Sequence, residues 1–351
     1  MTPHDLYEDL DRIDARLLAL LNERMERSLL LRAFPDGAED AARHDEGSVE
    51  RARRTALCLA GPEFAAGVYR SIAGECGRLR ASDLRTVAFQ GDHGAYSEMA
   101  ARAWDAKAAA VPFREFVDVF DAVQDGIVDY GIVPVENTLG GLVGPVNSIL
   151  VYADLKIVAA VDMPVAHCLL APPGADHREI RAAYSHTQAL AQCRRFLARN
   201  KLEGRTAYDT AGAARRLAEE RPAGAAAIAS RFAAELYGLE IIKEDIQDAE
   251  NNRTRFFVLS RSPALEAGGK CSAVFFTEDK AGALFRVLEL FARSGINLTR
   301  IESVPNVPGD YAIFLDFEGS DRDPRVAGAI EEAKASAREF RLLGCYTERR
   351  L

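Results

Sequence analysis

The chain has 351 residues, 48% of them apolar, and a formal net charge of −9 spread without long runs. That length suits two or three globular domains, and the acidic balance argues against a nucleic-acid or anionic-membrane surface, so any anionic ligand must be held by a local cluster of donors. No apolar run approaches the ~20 residues of a membrane helix, and the opening MTPHDLYEDLDRID lacks the basic-then-apolar grammar of a secretory signal, which points to a cytoplasmic protein.

Leu6, Leu10, Ile13, Leu17 and Leu20/Leu21 recur at steps of three and four, which predicts a first helix over 5–32 that Pro35-Asp36-Gly37 stops. Two further helical stretches are expected over about 48–59 and 62–80, the second opened by Gly61-Pro62. Residues 1–82 therefore read as an all-α unit, small enough to need a partner to complete its core.

From Thr86 the grammar changes. Short apolar runs alternate with helical patterns: TVAF then YSEMAARAW, GIVPV then GPVNSILVYA, AAYSH then QALAQCRRFLARN, AAAIAS then RFAAELYG, and last RFFVLS. Such alternation predicts mostly parallel α/β sheets with ligands beyond the carboxyl ends of the strands. The expected arrangement over 85–262 is two lobes with a cleft between them and a hinge near Asp162–Pro164. After the linker Ala267-Gly268-Gly269-Lys270, residues 270–351 read as strand, helix, strand, strand, helix, strand, the ferredoxin-like βαββαβ plan.

Cys58, Cys76, Cys168, Cys193, Cys271 and Cys345 form no CxxC pair and read as reduced, mostly structural thiols. The six histidines show no ligand spacing, among themselves or with cysteine, so no metal is expected.

Four motifs stand in order along the middle segment: GDHGAYSEMAA, DYGIVPVENTLGGLVG, YSHTQ and Thr254-Arg255-Phe256. On these, residues 85–262 resemble the prephenate dehydratases, whose two-lobed α/β domain is periplasmic-binding-protein-like. AGALFRVLELFARSGINLTRIES resembles an ACT domain, the amino-acid-sensing module appended to these enzymes. LLALLNERMERS is similar to the helical chorismate mutase domain fused ahead of the dehydratase in bifunctional members.

The resemblance implies decarboxylating dehydration of prephenate to phenylpyruvate in phenylalanine biosynthesis. That reaction is driven by aromatisation and needs oriented carboxylates and a proton donor at the leaving hydroxyl, with no metal or organic cofactor. By the same resemblance Thr254 meets that hydroxyl as a placed hydrogen-bond donor. Arg255 is left with two roles, holding a substrate carboxylate or bracing Glu136 or an acidic loop residue such as Asp248. Arg253 reads as solvated surface.

Glu136, Asn137 and Thr138 end an apolar strand where ligand contacts are expected, although the ionised Glu136 can only accept. Ser185 and Gln188 fall at another strand-to-helix junction, and Tyr96 and Ser97 open a helix after Gly94. His186, between Ser185 and Gln188, reads as structural. Three departures from the family pattern bear on substrate detail: Asp92-His93 in place of a proline, Ala95 where a hydroxyl is common, and Asn147 in place of an aspartate.

In the helical segment Arg24 fits one mutase position, while Tyr7 and Pro35 stand where an arginine and a lysine are expected. It reads as a degenerate mutase-like unit serving dimerisation or packing. In the last segment Gly282, Ala283 and Leu284 match a region that contacts phenylalanine in regulated members, and Glu302 and Ser303 precede Val304, which replaces the usual arginine. Phenylalanine feedback and a homodimer or homotetramer follow from the resemblance. Arogenate dehydratase, and a two-lobed sensor without catalysis, are the competing readings.

Overall fold

The structure is a computed structural model that describes residues 2–57, 59–278, 280–307 and 310–351. The helical unit consists of α1 (Pro3–Leu30), α2 (Gly37–Thr55) and α3 (Pro62–Arg80), with one 3-10 turn between the first two. α2 begins eleven residues earlier than the sequence pattern predicts, because Glu39 and Asp40 in its first turn suit a helix start that apolar spacing does not report.

The first lobe contains β1 (Thr86–Gln90), α4 (Tyr96–Trp104), β2 (Ala109–Phe113), α5 (Phe116–Gln124), β3 (Tyr130–Asn137), β4 (Gly141–Leu142), α6 (Gly144–Leu150) and β5 (Lys156–Pro164). The second lobe contains β6 (Cys168–Ala171), β7 (Ala182–Ser185), α7 (Thr187–Gln192), α8 (Arg194–Arg199), β8 (Glu203–Thr206), α9 (Thr210–Glu220), β9 (Ala225–Ala229), α10 (Arg231–Tyr237) and β10 (Glu240–Lys243). β11 (Arg253–Ser260) then returns to the first lobe, antiparallel to both β3 and β5. The two crossings between lobes lie side by side, with the Val165 N–H donating to the Asn252 carbonyl at 2.9 Å.

The C-terminal unit runs β12 (Lys270–Phe276), α11 (Ala283–Arg293), β13 (Leu298–Val307), β14 (Asp310–Glu318), α12 (Pro324–Ser336) and β15 (Glu339–Arg350), the βαββαβ order expected. Its sheet continues into that of the first lobe in the order β13-β14-β12-β15-β5-β11-β3-β1-β2, because Thr347–Arg350 of β15 pair in parallel with Ala159–Asp162 of β5. The second lobe has its own sheet, β10-β6-β9-β7-β8.

One apolar core spans two units. Val133, Leu150 and Phe257 of the first lobe pack with Val274, Val304, Phe314 and Tyr346 of the C-terminal sheet. Val304 is buried at this seam, which an apolar side chain suits better than the cation usual there. α11 and α12 cover the sheet's other face. On the far side of the first lobe, Phe89, Ile132, Phe256 and Val258 pack beneath α4.

The expectation of reduced cysteines is corrected at one pair. Cys271 and Cys345 face each other in the β12–β15 register and are joined by a disulfide. They are 74 residues apart, so the sheet alone brings them together. Cys76, Cys168 and Cys193 are free and buried, and Cys58 lies outside the described residues.

Candidate active site

β3 is an apolar run that turns polar at Glu136-Asn137, and β11 turns from polar to apolar after Thr254-Arg255. Antiparallel register sets Thr254 against Asn137 and Arg255 against Glu136. Alternation then sends neighbouring side chains to opposite faces. Phe256 enters the core beneath α4, while Phe257 enters the core shared with the C-terminal sheet.

Asn137 is the hub of a buried polar cluster. Its Oδ1 accepts from the backbone N–H groups of Leu139 at 3.0 Å and Gly140 at 2.7 Å. Its Nδ2 lies 2.9 Å from Thr254 Oγ1, 2.8 Å from Asn252 Oδ1 and 2.9 Å from the Arg253 carbonyl. From the second lobe, Gln192 Nε2 donates to Asn137 Oδ1 at 3.2 Å, and Gln192 Oε1 faces Asn252 Nδ2 at 3.0 Å and His167 Nε2 at 2.8 Å. Burial lowers the pKa of His167, partly opposed by the bond to Gln192, and so favours the neutral ring. Gln192, Asn252 and His167 were not among the sequence candidates. Each is an isolated polar residue beside an element boundary, and the register of β11 against β3 and the approach of the second lobe draw them together.

Beside this cluster a cavity of about 410 Å³ opens between Leu139 and Gly140 of the first lobe and Gln188, Gln192, Arg195 and Asp248 of the second lobe and its return crossing. Arg194 is also on its wall, so two exposed cations stand at the mouth of a cleft in an otherwise acidic protein. Gln188 lies so close to Gly140 that a Cβ there would be 1.9 Å from its Nε2.

The other candidates take these positions. Thr138 Oγ1 donates to the Asn251 carbonyl at 2.6 Å and accepts from the Arg253 N–H at 2.9 Å, clamping the incoming loop. Ser185 is fully buried and donates to the Ile228 carbonyl at 2.6 Å. His186 caps α7, accepting from the Gln188 N–H at 3.2 Å. Tyr96 Oη lies 2.6 Å from the Ala166 carbonyl and 2.9 Å from His167 Nδ1, with Ser97 buried behind it. Burial raises the Tyr96 phenol well above its ordinary range.

Arg255 and Glu136 are not brought to this cluster. The Arg255 guanidinium bonds Asp316, Glu348 at 2.5 Å, the Tyr346 hydroxyl at 2.9 Å and Glu136 at 3.3 Å. Burial opposes its charge, but Tyr346, Asp316 and Glu348 outweigh that and raise its pKa. With those acceptors engaged, bracing of Glu136 is the arrangement observed and a free carboxylate fork is not. Arg253 is likewise tied rather than solvated, at 3.0 Å from Asp162. Arg300 sits in the same buried cluster, donating to Asn147 Oδ1 at 2.7 Å.

His93, in the Gly91-Asp92-His93 stretch that replaces the family's Gly-Pro, docks the helical unit onto the first lobe. Its ring lies 2.8 Å from Glu26 of α1 and 3.2 Å from Glu98 of α4. Burial lowers its pKa, but the two carboxylates prevail and raise it to about 10. Arg24 of α1 pairs with Asp45 at 2.6 Å, and Arg80 reaches the same carboxylate at 2.9 Å.

Gly282 caps α11 in the left-handed region at φ 80°, Ala283 is buried and Leu284 half-exposed, while Glu302 and Ser303 lie on β13, the end strand of the large sheet. Among the described residues no group of three or more His, Cys, Asp or Glu is placed to hold a metal, and no helix is long and apolar enough to cross a membrane.

The family model for prephenate dehydratase matches residues 87–264, and that for the ACT domain matches residues 272–335. The chain is 41% identical over 274 residues to an arogenate dehydratase/prephenate dehydratase of Arabidopsis thaliana, covering 74% of this chain and 72% of that one. It is 33% identical over 356 residues to a bifunctional chorismate mutase/prephenate dehydratase of Aquifex aeolicus, covering 97% of each. Among solved structures, a prephenate dehydratase from Arthrobacter aurescens in complex with L-Phe superposes with a TM-score of 0.69 at 32% identity, covering 75% of this chain and 89% of that one.

Proposed function

The chain belongs to the prephenate dehydratase family, and from that premise we propose how its residues convert prephenate to phenylpyruvate in phenylalanine biosynthesis. In this reaction the bond from the ring to its carboxylate breaks and the electron pair enters the ring. The 4-hydroxyl leaves as water with one proton taken up, and carbon dioxide is released. Aromatisation supplies the driving force, so the protein needs to hold two carboxylates and put a donor at the leaving oxygen.

Thr254 is that donor. The observation that carries this reading is its hydroxyl, 2.9 Å from the amide of Asn137, the residue that also holds Leu139 and Gly140 of the cavity wall. Gln188 offers an amide donor to the substrate, Asn137 turns its own amide to Thr254, and Arg194 and Arg195 supply the positive charge that a dianion requires. Thr138, Ser185, Tyr96 and Ser97 shape the cleft by fixing loops and helix starts. Glu136 and Arg255 support the strand ends from behind.

Residues 85–262 are the dehydratase domain and 270–351 the regulatory ACT domain, with phenylalanine the effector through Gly282, Ala283, Leu284, Glu302 and Ser303. The L-Phe complex of the Arthrobacter relative supports phenylalanine as the effector. Residues 1–82 are a mutase-like helical domain that serves assembly. Arg24 and Arg80 share one carboxylate there, so the arginine that fits a mutase position is already paired. Leu6, Leu10, Ile13, Leu17 and Leu20 form a stripe along α1 that is 46% to 60% exposed in the single chain. An apolar helix face of that length suits a second copy, so the enzyme acts as a homodimer or homotetramer.

The test is to incubate the purified protein separately with prephenate, arogenate and chorismate and to follow phenylpyruvate, phenylalanine and prephenate. Phenylpyruvate from prephenate is expected. Absence of product from both prephenate and arogenate sinks the dehydratase reading, turnover of arogenate alone replaces the substrate, and rapid conversion of chorismate restores the mutase.

A further inference from the structure

We propose that His167 is a positioning residue for the dehydration, acting through the direction of a buried hydrogen-bond chain that ends at Thr254. The proposal rests on the reading of Thr254 as the donor to the leaving hydroxyl.

Side-chain amides look alike from either end, so their direction is known only from what they face. Here two backbone groups decide it. The N–H groups of Leu139 and Gly140 can only donate, so the Asn137 atom between them is Oδ1. Its other end is therefore Nδ2, which donates to Thr254 Oγ1 at 2.9 Å. Gln192 faces Asn137 Oδ1 and must present Nε2 to it at 3.2 Å, which turns Gln192 Oε1 toward His167. Asn252 agrees, receiving from Asn137 on Oδ1 and donating from Nδ2 to Gln192.

The atom that completes this order is His167 Nε2, 2.8 Å from Gln192 Oε1. Two acceptors cannot share that contact, so Nε2 carries the hydrogen. In the neutral ring Nδ1 is then bare, and the single Tyr96 hydroxyl hydrogen is shared between it at 2.9 Å and the Ala166 carbonyl at 2.6 Å. His167 is 2% exposed and Asn252 1%, so no bulk water competes for the chain.

The consequence falls on Thr254. Its oxygen receives from Asn137, and no protein acceptor for its own hydrogen is present among the described residues. The hydroxyl thus keeps its own hydrogen to donate, which is the polarity needed at a departing hydroxyl. A residue giving Gln192 no hydrogen would leave Asn252 Nδ2 as the one donor holding Gln192 Oε1, and each inversion of the glutamine would set an oxygen against Asn137 Oδ1. Asn137 cannot follow, because its own direction is locked by backbone.

The experiment uses the full chain with prephenate and compares His167→Leu, His167→Gln, Thr254→Val and the double variant. His167→Leu should lower kcat about 10- to 100-fold with KM changed less than about 3-fold. His167→Gln places an amide N–H near the position of Nε2 and should recover most of that loss. In the Thr254→Val background His167→Leu should cost nothing further in kcat, because the two act through one atom. Where His167→Leu fails to fold, His167→Glu against His167→Gln carries the comparison, since the carboxylate gives Gln192 only an acceptor. Wild-type kcat in the Leu or Glu variant, or losses that multiply in the double variant, overturns the role of His167. Wild-type turnover in Thr254→Val instead overturns the reading of Thr254 on which it rests.

Discussion

Arg255, on the strand that carries Thr254, and Asp316, in the C-terminal sheet, form an ion pair whose side chains are 7% and 0% exposed. Ser272 Oγ donates to the other Asp316 oxygen at 2.6 Å, so the buried carboxylate is satisfied on both sides. Removing one partner strands the other charge in an apolar seam. Asp316→Ala should therefore destabilise the protein by about 3–5 kcal/mol, measured by urea unfolding. Salt should change this little, because the pair lies beyond the reach of counterions. A loss under about 1 kcal/mol would mean that Arg255 finds its compensation in Glu136 and Glu348 alone.

Gly140 reports on the closeness of the lobes. An added methyl would meet Gln188 Nε2 at 1.9 Å but Asn137 Oδ1 only at 3.3 Å, and Gln188 is a flexible side-chain end that can swing aside. Gly140→Ala should alter stability by less than about 1 kcal/mol, yet raise KM for prephenate several-fold by displacing a cleft amide. An unchanged KM would remove Gln188 from substrate contact.

His93 gives the docking of the helical unit a pH dependence. Its folded pKa of about 10 lies above the ordinary value, so its contribution is complete below the ordinary histidine range and is lost as pH rises through about 10. Wild type minus His93→Gln isolates this from other titrating groups. That difference should fall by about 2 kcal/mol between neutral pH and pH 10.5, a figure reduced for the part of the ring that solvent reaches. A flat difference would mean that Glu26 and Glu98 do not hold the imidazolium.

Phenylalanine at millimolar concentration should raise the melting temperature, since a ligand that binds only the folded chain stabilises it by about 2.7 kcal/mol at a hundredfold excess over Kd. Glu302→Ala should reduce the shift. No shift in the wild type would remove phenylalanine as effector.

The meeting of β3 and β11 at the candidate site was legible because strand residues carry their environment in their spacing. The run GIVPVEN turns polar at Asn137, NNRTRFF turns apolar after Thr254, and β3 and β11 meet at those two positions. The βαββαβ order of the last unit was legible for the same reason. His167, Gln192 and Asn252 left no such mark, because a hydrogen-bond chain across two lobes has no period along the sequence. The partners of Arg255 were hidden similarly, Asp316 being 61 residues away and Glu348 93. The disulfide belongs with them, since cross-strand register and not cysteine spacing sets it.

β15 begins as a strand of the C-terminal sheet and, from Thr347 to Arg350, becomes a strand of the first lobe. The catalytic lobe therefore has no sheet edge where the regulatory unit begins, and neither can melt without fraying the other. Calorimetry should accordingly give one joint transition for these two parts. The second lobe has a separate sheet, and two chain crossings and side-chain bonds such as Gln192 to Asn137 and Ser230 to the Gly94 carbonyl attach it to the first.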